Sequence, residues 1–197
     1  MDFTKVKENL QQAGYQVSCF ATAKEAAAFL DKAIDGVTVG MGGSMTVQQM
    51  GLYELLASHN QVFWHWKTPG AQTLQQAQNA KVYLSSVNAL AQTGQIVNID
   101  GTCNRISAMV YGHQMVYLVV GSNKLADDYE SALYRARNVA APKNARRLQK
   151  QTPCALGQEK CYDCNSPDRI CKGLSVLWQK PSGIACHVIL INEHLGY

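Results

Sequence analysis

Four cysteines lie in one short stretch of the chain with the spacing C-x6-C-x2-C-x6-C: Cys154, Cys161, Cys164 and Cys171. The central pair has the close separation at which two thiolates bind one metal ion, and the outer two are near enough in sequence to complete a four-sulfur shell. Prolines and glycines recur along the same stretch, as in loops organised by a metal. The spacing predicts either a structural zinc site or an iron–sulfur cluster, with free thiols as the alternative.

A glycine-containing loop suits an anionic ligand. Val37-Thr-Val-Gly40 is typical of a buried strand, and Met41-Gly-Gly-Ser44-Met-Thr46 follows it. Glycine lets backbone N–H groups approach a ligand, and the start of a helix favours phosphate or carboxylate. The spacing matches neither the Walker A motif nor the dinucleotide-binding fingerprint, so a plain strand-to-helix turn capped by Ser44 is the alternative. We predict an anion contact from Gly42, Gly43, Ser44 and Thr46.

Two more polar loops follow predicted strands. Asn98-Ile-Asp-Gly-Thr-Cys-Asn-Arg105 combines carboxylate, amide and guanidinium groups, and Gly121-Ser-Asn-Lys124 supplies an amine. Ligands in open α/β sheets bind at the C-terminal ends of the strands, so these loops would meet at one site if their strands are neighbours. The alternatives are an Asp-Gly turn with a helix cap and a solvated lysine. The ligand-binding residues predicted here are Asp100, Asn104, Arg105, Asn123 and Lys124.

Helical and strand patterns alternate between these loops. Thr22-Ala-Lys-Glu25 is a capping box that opens a helix, and the helix after Ser44 is expected to break at Gly51. Predicted strands lie near residues 15–20, 37–40, 61–66, 81–85, 95–99, 115–120, 174–178 and 184–191. Predicted helices lie near residues 2–13, 22–33, 44–58, 70–80 and 127–139, with a short basic helix after Pro142. This alternation predicts an α/β fold with a mostly parallel sheet and helices on both faces.

Composition limits the classes of function. The 197 residues are 47% hydrophobic and 16% charged, with a net charge of +4, which indicates one globular domain over residues 1–197 with a cysteine-rich loop at 153–173. The basic stretch from Arg135 to Lys150 lacks interleaved aromatic residues, so we expect a solvated helical face and no nucleic-acid binding. No apolar run approaches the roughly 18–20 residues of a membrane span. With no signal-peptide pattern, a cytoplasmic location is expected.

Several motifs, in this order, resemble those of the LUD (lactate utilization) domain family, in particular its compact subgroup with a cysteine-rich C-terminal segment. They are Gly42–Thr46, Gly94–Arg105, Gly121–Lys124, Arg135–Ala145 and Cys161–Pro167. The resemblance implies a fold similar to ribose-5-phosphate isomerase, glucosamine-6-phosphate deaminase and CoA transferases. One departure is Cys103, which stands where related sequences often have glycine, and cysteine resists a positive φ.

The resemblance also implies a type of biochemical function. Some family members are linked to oxidation of L-lactate to pyruvate beside iron–sulfur and flavin-type partner proteins. We therefore expect a LUD-domain protein that binds a small anionic or phosphate-bearing ligand at the C-terminal edge of the sheet. One alternative is a non-catalytic iron–sulfur or scaffold subunit of a lactate-oxidising complex. Another, from fold analogy alone, is an isomerase, deaminase or transferase acting on a phosphosugar or CoA thioester. Catalysis, substrate and homo-oligomerisation stay open.

Overall fold

The computed structural model describes residues 2–157 and 160–197. The strands are β1 (Gln16–Phe20), β2 (Thr38–Met41), β3 (Gln61–Trp64), β4 (Val82–Ser86), β5 (Ala89–Ala91), β6 (Ile96–Asp100), β7 (Met115–Gly121), β8 (Leu125–Ala126), β9 (Gly173–Leu177) and β10 (Ala185–Ile191). Six of them form a parallel sheet in the order β1-β10-β7-β4-β2-β3. The others form a smaller sheet in the order β8-β5-β6-β9.

Helices connect the parallel strands. They are α1 (Thr4–Gln12), α2 (Ala23–Ala33), α3 (Met45–Gln49), α4 (Leu52–Leu56), α5 (Ala71–Gln78), α6 (Asn104–Val110), α7 (Tyr129–Arg135), α8 (Ala141–Arg147) and α9 (Pro153–Leu156). A 3₁₀ turn covers Ser122–Lys124, and a π-helical segment covers Ala136–Ala140. In the described part of the chain, no helix is long and apolar enough to cross a membrane.

The large sheet is covered on both faces, as the alternation of elements predicts. Along β7, Val116, Leu118 and Val120 pack into one core, whereas Tyr117 and Val119 pack into the other. A strand buried on both faces carries a continuous apolar run rather than an alternating pattern. The α/β fold with a mostly parallel sheet and flanking helices is therefore confirmed.

Local signals at the helix ends hold as well. Thr22 Oγ1 accepts a hydrogen bond from the Glu25 backbone N–H at 3.2 Å, and Glu25 Oε2 accepts one from the Thr22 backbone N–H at 3.1 Å. This reciprocal pair is the predicted capping box. Gly51 separates α3 from α4 with a φ of 62°, a left-handed conformation that glycine adopts at little cost.

The smaller sheet departs from the prediction. The segment near 95–99 is a strand, but β6 pairs antiparallel with β5 and β9 and stands outside the parallel sheet. The short strands β5 and β8 have too few residues to show a hydrophobic period. The pairing of Asp100 with Gly173 brings the polar loop after β6 beside the end of the cysteine-rich segment.

The helical region from Tyr129 to Arg147 is continuous, and the predicted separation at Pro142 is wrong. The π-helical segment lies directly before α8, where Pro142 is among the first residues. Proline lacks the N–H that an α-helix interior requires, and a change of hydrogen-bond register lets the helix continue past it. The basic stretch is therefore one long element that reaches both the ligand-facing loops and the cysteines.

Candidate functional site

A cavity of about 390 Å³ lies beside the C-terminal ends of β2, β3, β4 and β7. These strands are adjacent in the sheet, with β7 beside β4, β4 beside β2 and β2 beside β3. The loops that follow them line the cavity, together with the loop after β6, helix α8 and Tyr197. The volume suits a small metabolite. The position is the one at which open α/β sheets bind ligands.

Lys124 lines this cavity from the 3₁₀ turn after β7. Only 3% of the residue is exposed, and its Nζ donates hydrogen bonds to Thr46 Oγ1 at 2.8 Å and Ser86 Oγ at 2.7 Å. No acidic side chain in residues 2–157 or 160–197 forms an ion pair with it. Burial, and then the positive charges of Arg135 and Arg105, lower the pKa of Lys124 well below its usual value. Burial therefore disfavours the charged form of this amine.

Arg135 holds two of the loops that surround Lys124. Its Nε donates to the Asn123 carbonyl at 2.8 Å, and its Nη1 donates to the Asn88 carbonyl. Burial lowers the pKa of Arg135 to about 10, which leaves the guanidinium charged at neutral pH. The side chain expected on a solvated helical face instead joins helix α7 to the loops after β4 and β7.

Arg105 forms part of the cavity wall, and most of its hydrogen-bond donors bind other protein groups. Its Nη1 donates to the Ser86 carbonyl and to Asn98 Oδ1, and its Nη2 donates to Asn88 Oδ1 and the Ile99 carbonyl, at 2.7–3.2 Å. Its Nε lies 3.8 Å from Asp100 Oδ2. Four of its five N–H donors therefore bind protein acceptors. Arg105 supplies positive charge at the cavity, while its hydrogen bonds hold the loops together.

Asp100 organises the start of helix α6. Its Oδ1 accepts from the Gly101 N–H at 2.7 Å, and its Oδ2 accepts from the backbone N–H groups of Arg105 and Ile106 at 3.1 and 3.3 Å. The helix thus takes its cap from Asp100 rather than from Thr102 or Asn104. Cys103, directly before the helix, has a φ of 61°, so it adopts the left-handed conformation for which glycine is better suited.

The opposite wall is aromatic and basic. The Arg147 guanidinium lies over the Trp66 ring, 4.6 Å from its centroid. Arg147 Nε donates to the Tyr197 hydroxyl at 2.8 Å, and Arg147 Nη2 donates to Asn144 Oδ1 at 3.0 Å. Among the described residues Nη1 has no hydrogen-bond partner, and no acidic group pairs with this arginine. Arg147 is therefore the cation at the cavity with donors left for a ligand.

Two uncharged polar side chains also line the cavity without a complete set of partners. His65 Nδ1 is buried and makes no hydrogen bond within the described ranges, and burial lowers the pKa of His65. Asn104 lines the cavity as well, and its amide has no hydrogen-bond partner in that same part of the chain. A ligand can use both as hydrogen-bonding groups.

Most of the predicted ligand-binding residues meet at this one cavity. Those that line it are Gly43, Ser44, Asp100, Asn104, Arg105 and Lys124. Thr46 instead binds Lys124, and Asn123 Oδ1 accepts from the Leu195 N–H at 3.0 Å. Gly42 leaves room for its neighbours, because a Cβ there would lie 2.7 Å from Ser85 Oγ. Helix α3 has only five residues, so its N-terminus contributes little to binding an anion. Side chains must supply most of the contacts.

The aromatic and basic wall was missed from the sequence. Strand β3 ends at Trp64, and Trp66, beyond the strand, turns towards the cavity. In the sequence, Arg147 is one of several basic residues in the stretch from Arg135 to Lys150. Only the position of α8 beside the cavity distinguishes it from the others. Tyr197 comes from a distant segment that Asn123 anchors beside the loop after β7, and no local signal marks it.

The four cysteines line a second, much smaller cavity of about 20 Å³. Arg169 holds the segment, since its Nη1 donates to the Cys164 carbonyl at 2.8 Å and its Nε to the Cys171 carbonyl at 2.9 Å. Burial, followed by the neighbouring cysteines, raises the pKa of Cys171 to about 11. As they stand, no three His, Cys, Asp or Glu side chains of the described residues are arranged to hold a metal ion. Residues 158 and 159 of the predicted loop lie outside the described ranges.

Comparison with known proteins agrees with this architecture. A crystal structure of a DUF162 family protein from Deinococcus radiodurans is similar to this chain with a TM-score of 0.54 at 12% sequence identity, over 95% of this chain and 94% of that one. At that identity the likeness concerns the fold. No curated protein matches the chain. The family model of the LUD domain matches residues 3–191. The chain therefore belongs to the LUD domain family.

Proposed function

We propose that this LUD-domain protein binds a small anionic or phosphate-bearing metabolite in the large cavity. The observation that carries the proposal is Arg147, a cation fixed on Trp66 with donors still free. Arg105 adds a second positive charge at the wall, and hydrogen bonds from three backbone N–H groups stabilise the Asp100 carboxylate there. A cavity with this balance of charge attracts anions.

The polar groups without partners support a ligand with more than one hydrogen-bonding end. Asn104 and His65 lie on the cavity surface beside the charged residues. A hydroxy or oxo acid offers a carboxylate for Arg147 and a second oxygen for one of these groups. Lactate and pyruvate, which the family resemblance implies, belong to this class of ligand. A sugar phosphate or other phosphoryl compound satisfies the same requirement.

A thermal-shift and calorimetry series tests the anion site directly. We expect inorganic phosphate, L-lactate and pyruvate to bind with different affinities. Each kcal/mol of stabilisation by a bound ligand should raise the melting midpoint by about 2–4 °C. Arg147→Met removes a charge-assisted hydrogen bond and should weaken binding about tenfold or more. Lys143→Met, an exposed position on the same helix, is the matched control and should bind as the unaltered protein does. If no anion binds the unaltered protein, the proposal is wrong.

We further propose that the cysteine segment binds a metal ion. Four cysteines surround one cavity, and Arg169 holds the backbone at two of them, which supports a shared ligand. Their sulfur atoms must move closer together to bind a metal jointly. A volume near that of one water molecule favours a single zinc ion over a multi-iron cluster. A cytoplasmic location, where thiols stay reduced, would keep the cysteines free for this role.

Metal analysis of protein purified without air distinguishes the two metals. One zinc per chain and no visible absorption would support the single-ion site. A brown protein that contains iron and acid-labile sulfide would indicate an iron–sulfur cluster at this site and no zinc. That result would support the alternative function, an electron-transfer or scaffold subunit beside iron–sulfur or flavin-type partners. Protein that holds neither metal, and takes up none when zinc is added at equimolar concentration, would overturn the metal proposal.

A further inference from the structure

We propose that Lys124 Nζ forms an imine with the carbonyl carbon of a small anionic aldehyde or ketone bound in the large cavity. The inference rests on the anion site proposed above and names the chemical class of its ligand. The anion, a carboxylate or a phosphate, would be held by Arg147, and the carbonyl would face the amine. Both residues line the same cavity.

The surroundings of Lys124 differ from those of a lysine that neutralises an acid. Only 3% of the residue is exposed, yet the hydrogen-bond partners of its Nζ are two hydroxyl groups, Thr46 Oγ1 and Ser86 Oγ. An ammonium group has three N–H donors, and no third acceptor is present for Nζ among the described residues. A buried charge without a carboxylate partner is costly. The uncharged amine, with two N–H bonds and one lone pair, fits two partners better.

The hydroxyl partners also fix the position of the amine. Thr46 Oγ1 donates its own hydrogen to the Leu195 carbonyl at 3.1 Å, so towards Lys124 it acts as an acceptor. Gly196 closes over the pair, since a Cβ there would lie 2.6 Å from Thr46 Oγ1 and 3.3 Å from Lys124 Nζ. A lysine held in this way loses little freedom when it reacts.

Burial and the charges nearby favour the uncharged, nucleophilic form of the amine. Burial is the largest cause of the lowered pKa of Lys124, and the guanidinium groups of Arg135 and Arg105 add to it. An exposed lysine is almost fully protonated at neutral pH and carries no free lone pair. Desolvation beside other cations is a known way to activate a lysine for imine formation.

The step balances without any further reagent. The Nζ lone pair attacks the carbonyl carbon, and the carbonyl electron pair moves to oxygen. A proton passes from nitrogen to that oxygen to give a carbinolamine. Loss of the hydroxyl group, with the remaining N–H proton, releases one water molecule and leaves a carbon–nitrogen double bond. Nothing is oxidised or reduced, and hydrolysis reverses the step.

Reductive trapping tests the inference. The unaltered protein is treated with cyanoborohydride and either glyoxylate or glycolaldehyde phosphate, and peptide mass spectrometry locates the added carboxymethyl or phosphoethyl group. We expect Lys124 to be labelled at least tenfold faster than the exposed Lys24, with acetaldehyde giving no such preference. The more reactive of the two probes identifies the anion as carboxylate or phosphate. Excess acetate or inorganic phosphate, which bind without a carbonyl, should slow the labelling of Lys124.

Calorimetry on the same probes separates this inference from the anion site. Binding of glyoxylate or glycolaldehyde phosphate with no preferential label on Lys124 would overturn the imine and leave the anion site standing. Absence of binding would overturn both. Lys124→Met should abolish the fast label, and Lys24→Met should not. Because the label is mapped in the unaltered protein, the test does not depend on folding of the Lys124 variant.

Discussion

The large cavity and the cysteine segment hold their polar groups in different ways. At the cavity, Arg105 and Arg135 bind carbonyl groups at or near the C-terminal ends of strands from both sheets, so the surface is in place before a ligand arrives. In the described part of the cysteine segment, the helix is the four-residue α9, and the cysteines line a cavity without forming a ready metal shell. Contacts within the protein fix the side chains of the first site. The cysteines of the second site require a bound metal to bring their sulfur atoms together.

The difference shows how little a motif says about preorganisation. The cysteine spacing is the stronger chemical signal in the sequence, yet its side chains are the less completely arranged. The loops at Gly42, Asp100 and Gly121 carry weaker motifs, yet strand order brings them to one cavity. A site built on strand ends should therefore resist changes in the cysteine segment.

The largest effect is expected from Arg105→Met. Its side chain is only 12% exposed, and its loss would remove one donor from each of four acceptors. Asn98 Oδ1 and Asn88 Oδ1 would each keep a backbone N–H donor. We expect the free energy of unfolding to fall by about 3–5 kcal/mol, the usual result of removing one member of a buried charged network. Urea unfolding measures it. Arg147→Met, at an exposed position, should cost under about 1 kcal/mol, and equal losses for the two variants would contradict the distinction between them.

The pH dependence of stability should reveal the buried amine. Because the pKa of Lys124 is lower in the folded state, the unfolded chain binds its proton more readily, so the lysine contributes stability that grows as pH rises towards its unfolded pKa. Relative to Lys124→Met, the unaltered protein should gain up to about 1.4 kcal/mol per pH unit in the window between those two pKa values. Urea unfolding from pH 7 to 10 provides the data. A difference that does not change with pH would mean that Lys124 is charged in the folded protein.

These elements also show what the sequence could predict. The strands of the parallel sheet and the capping box follow from local patterns, because apolar runs and turn residues depend on near neighbours. The same reasoning failed for the second sheet and for Pro142, where distant strand pairing and a π-helical segment decide the structure. It found Lys124 as a candidate ligand-binding amine but gave no sign of its burial. That burial, which disfavours the charged form, depends on Thr46, Ser86 and Gly196, which lie far away in the sequence.

A smaller effect is expected at Cys103, directly before helix α6. Cys103 has a φ of 61°, a conformation that costs a non-glycine residue about 1–2 kcal/mol. Cys103→Gly should stabilise the protein by up to about 1 kcal/mol, since glycine loses more entropy on folding and offsets part of the gain. Cys103→Val should destabilise it instead, because a β-branched residue is poorly suited to positive φ. Thermal unfolding of the two variants decides the sign, and destabilisation by glycine would show that packing of the Cys103 side chain outweighs the backbone strain.

The smallest effect on the fold is expected from Cys164→Ser. In metal-free protein we expect the free energy of unfolding to change by less than about 0.5 kcal/mol, because Cys164 lies in a loop and is only partly buried. Metal content after reconstitution should fall sharply, while the affinity for an anion stays within twofold of the unaltered value. Zinc analysis and calorimetry on the same sample measure both. A parallel loss of anion affinity would show that the two regions act as one site.

The position of a bound anion is the most direct test. Selenate is a phosphate-like anion whose selenium atom can be located by anomalous diffraction. In crystals soaked at a concentration that saturates binding in solution, we expect a selenium peak in the large cavity, within hydrogen-bond reach of Arg147 and on the side of Lys124. A peak found solely elsewhere on the molecule, or none in the cavity at that concentration, would contradict an anion site at the strand ends.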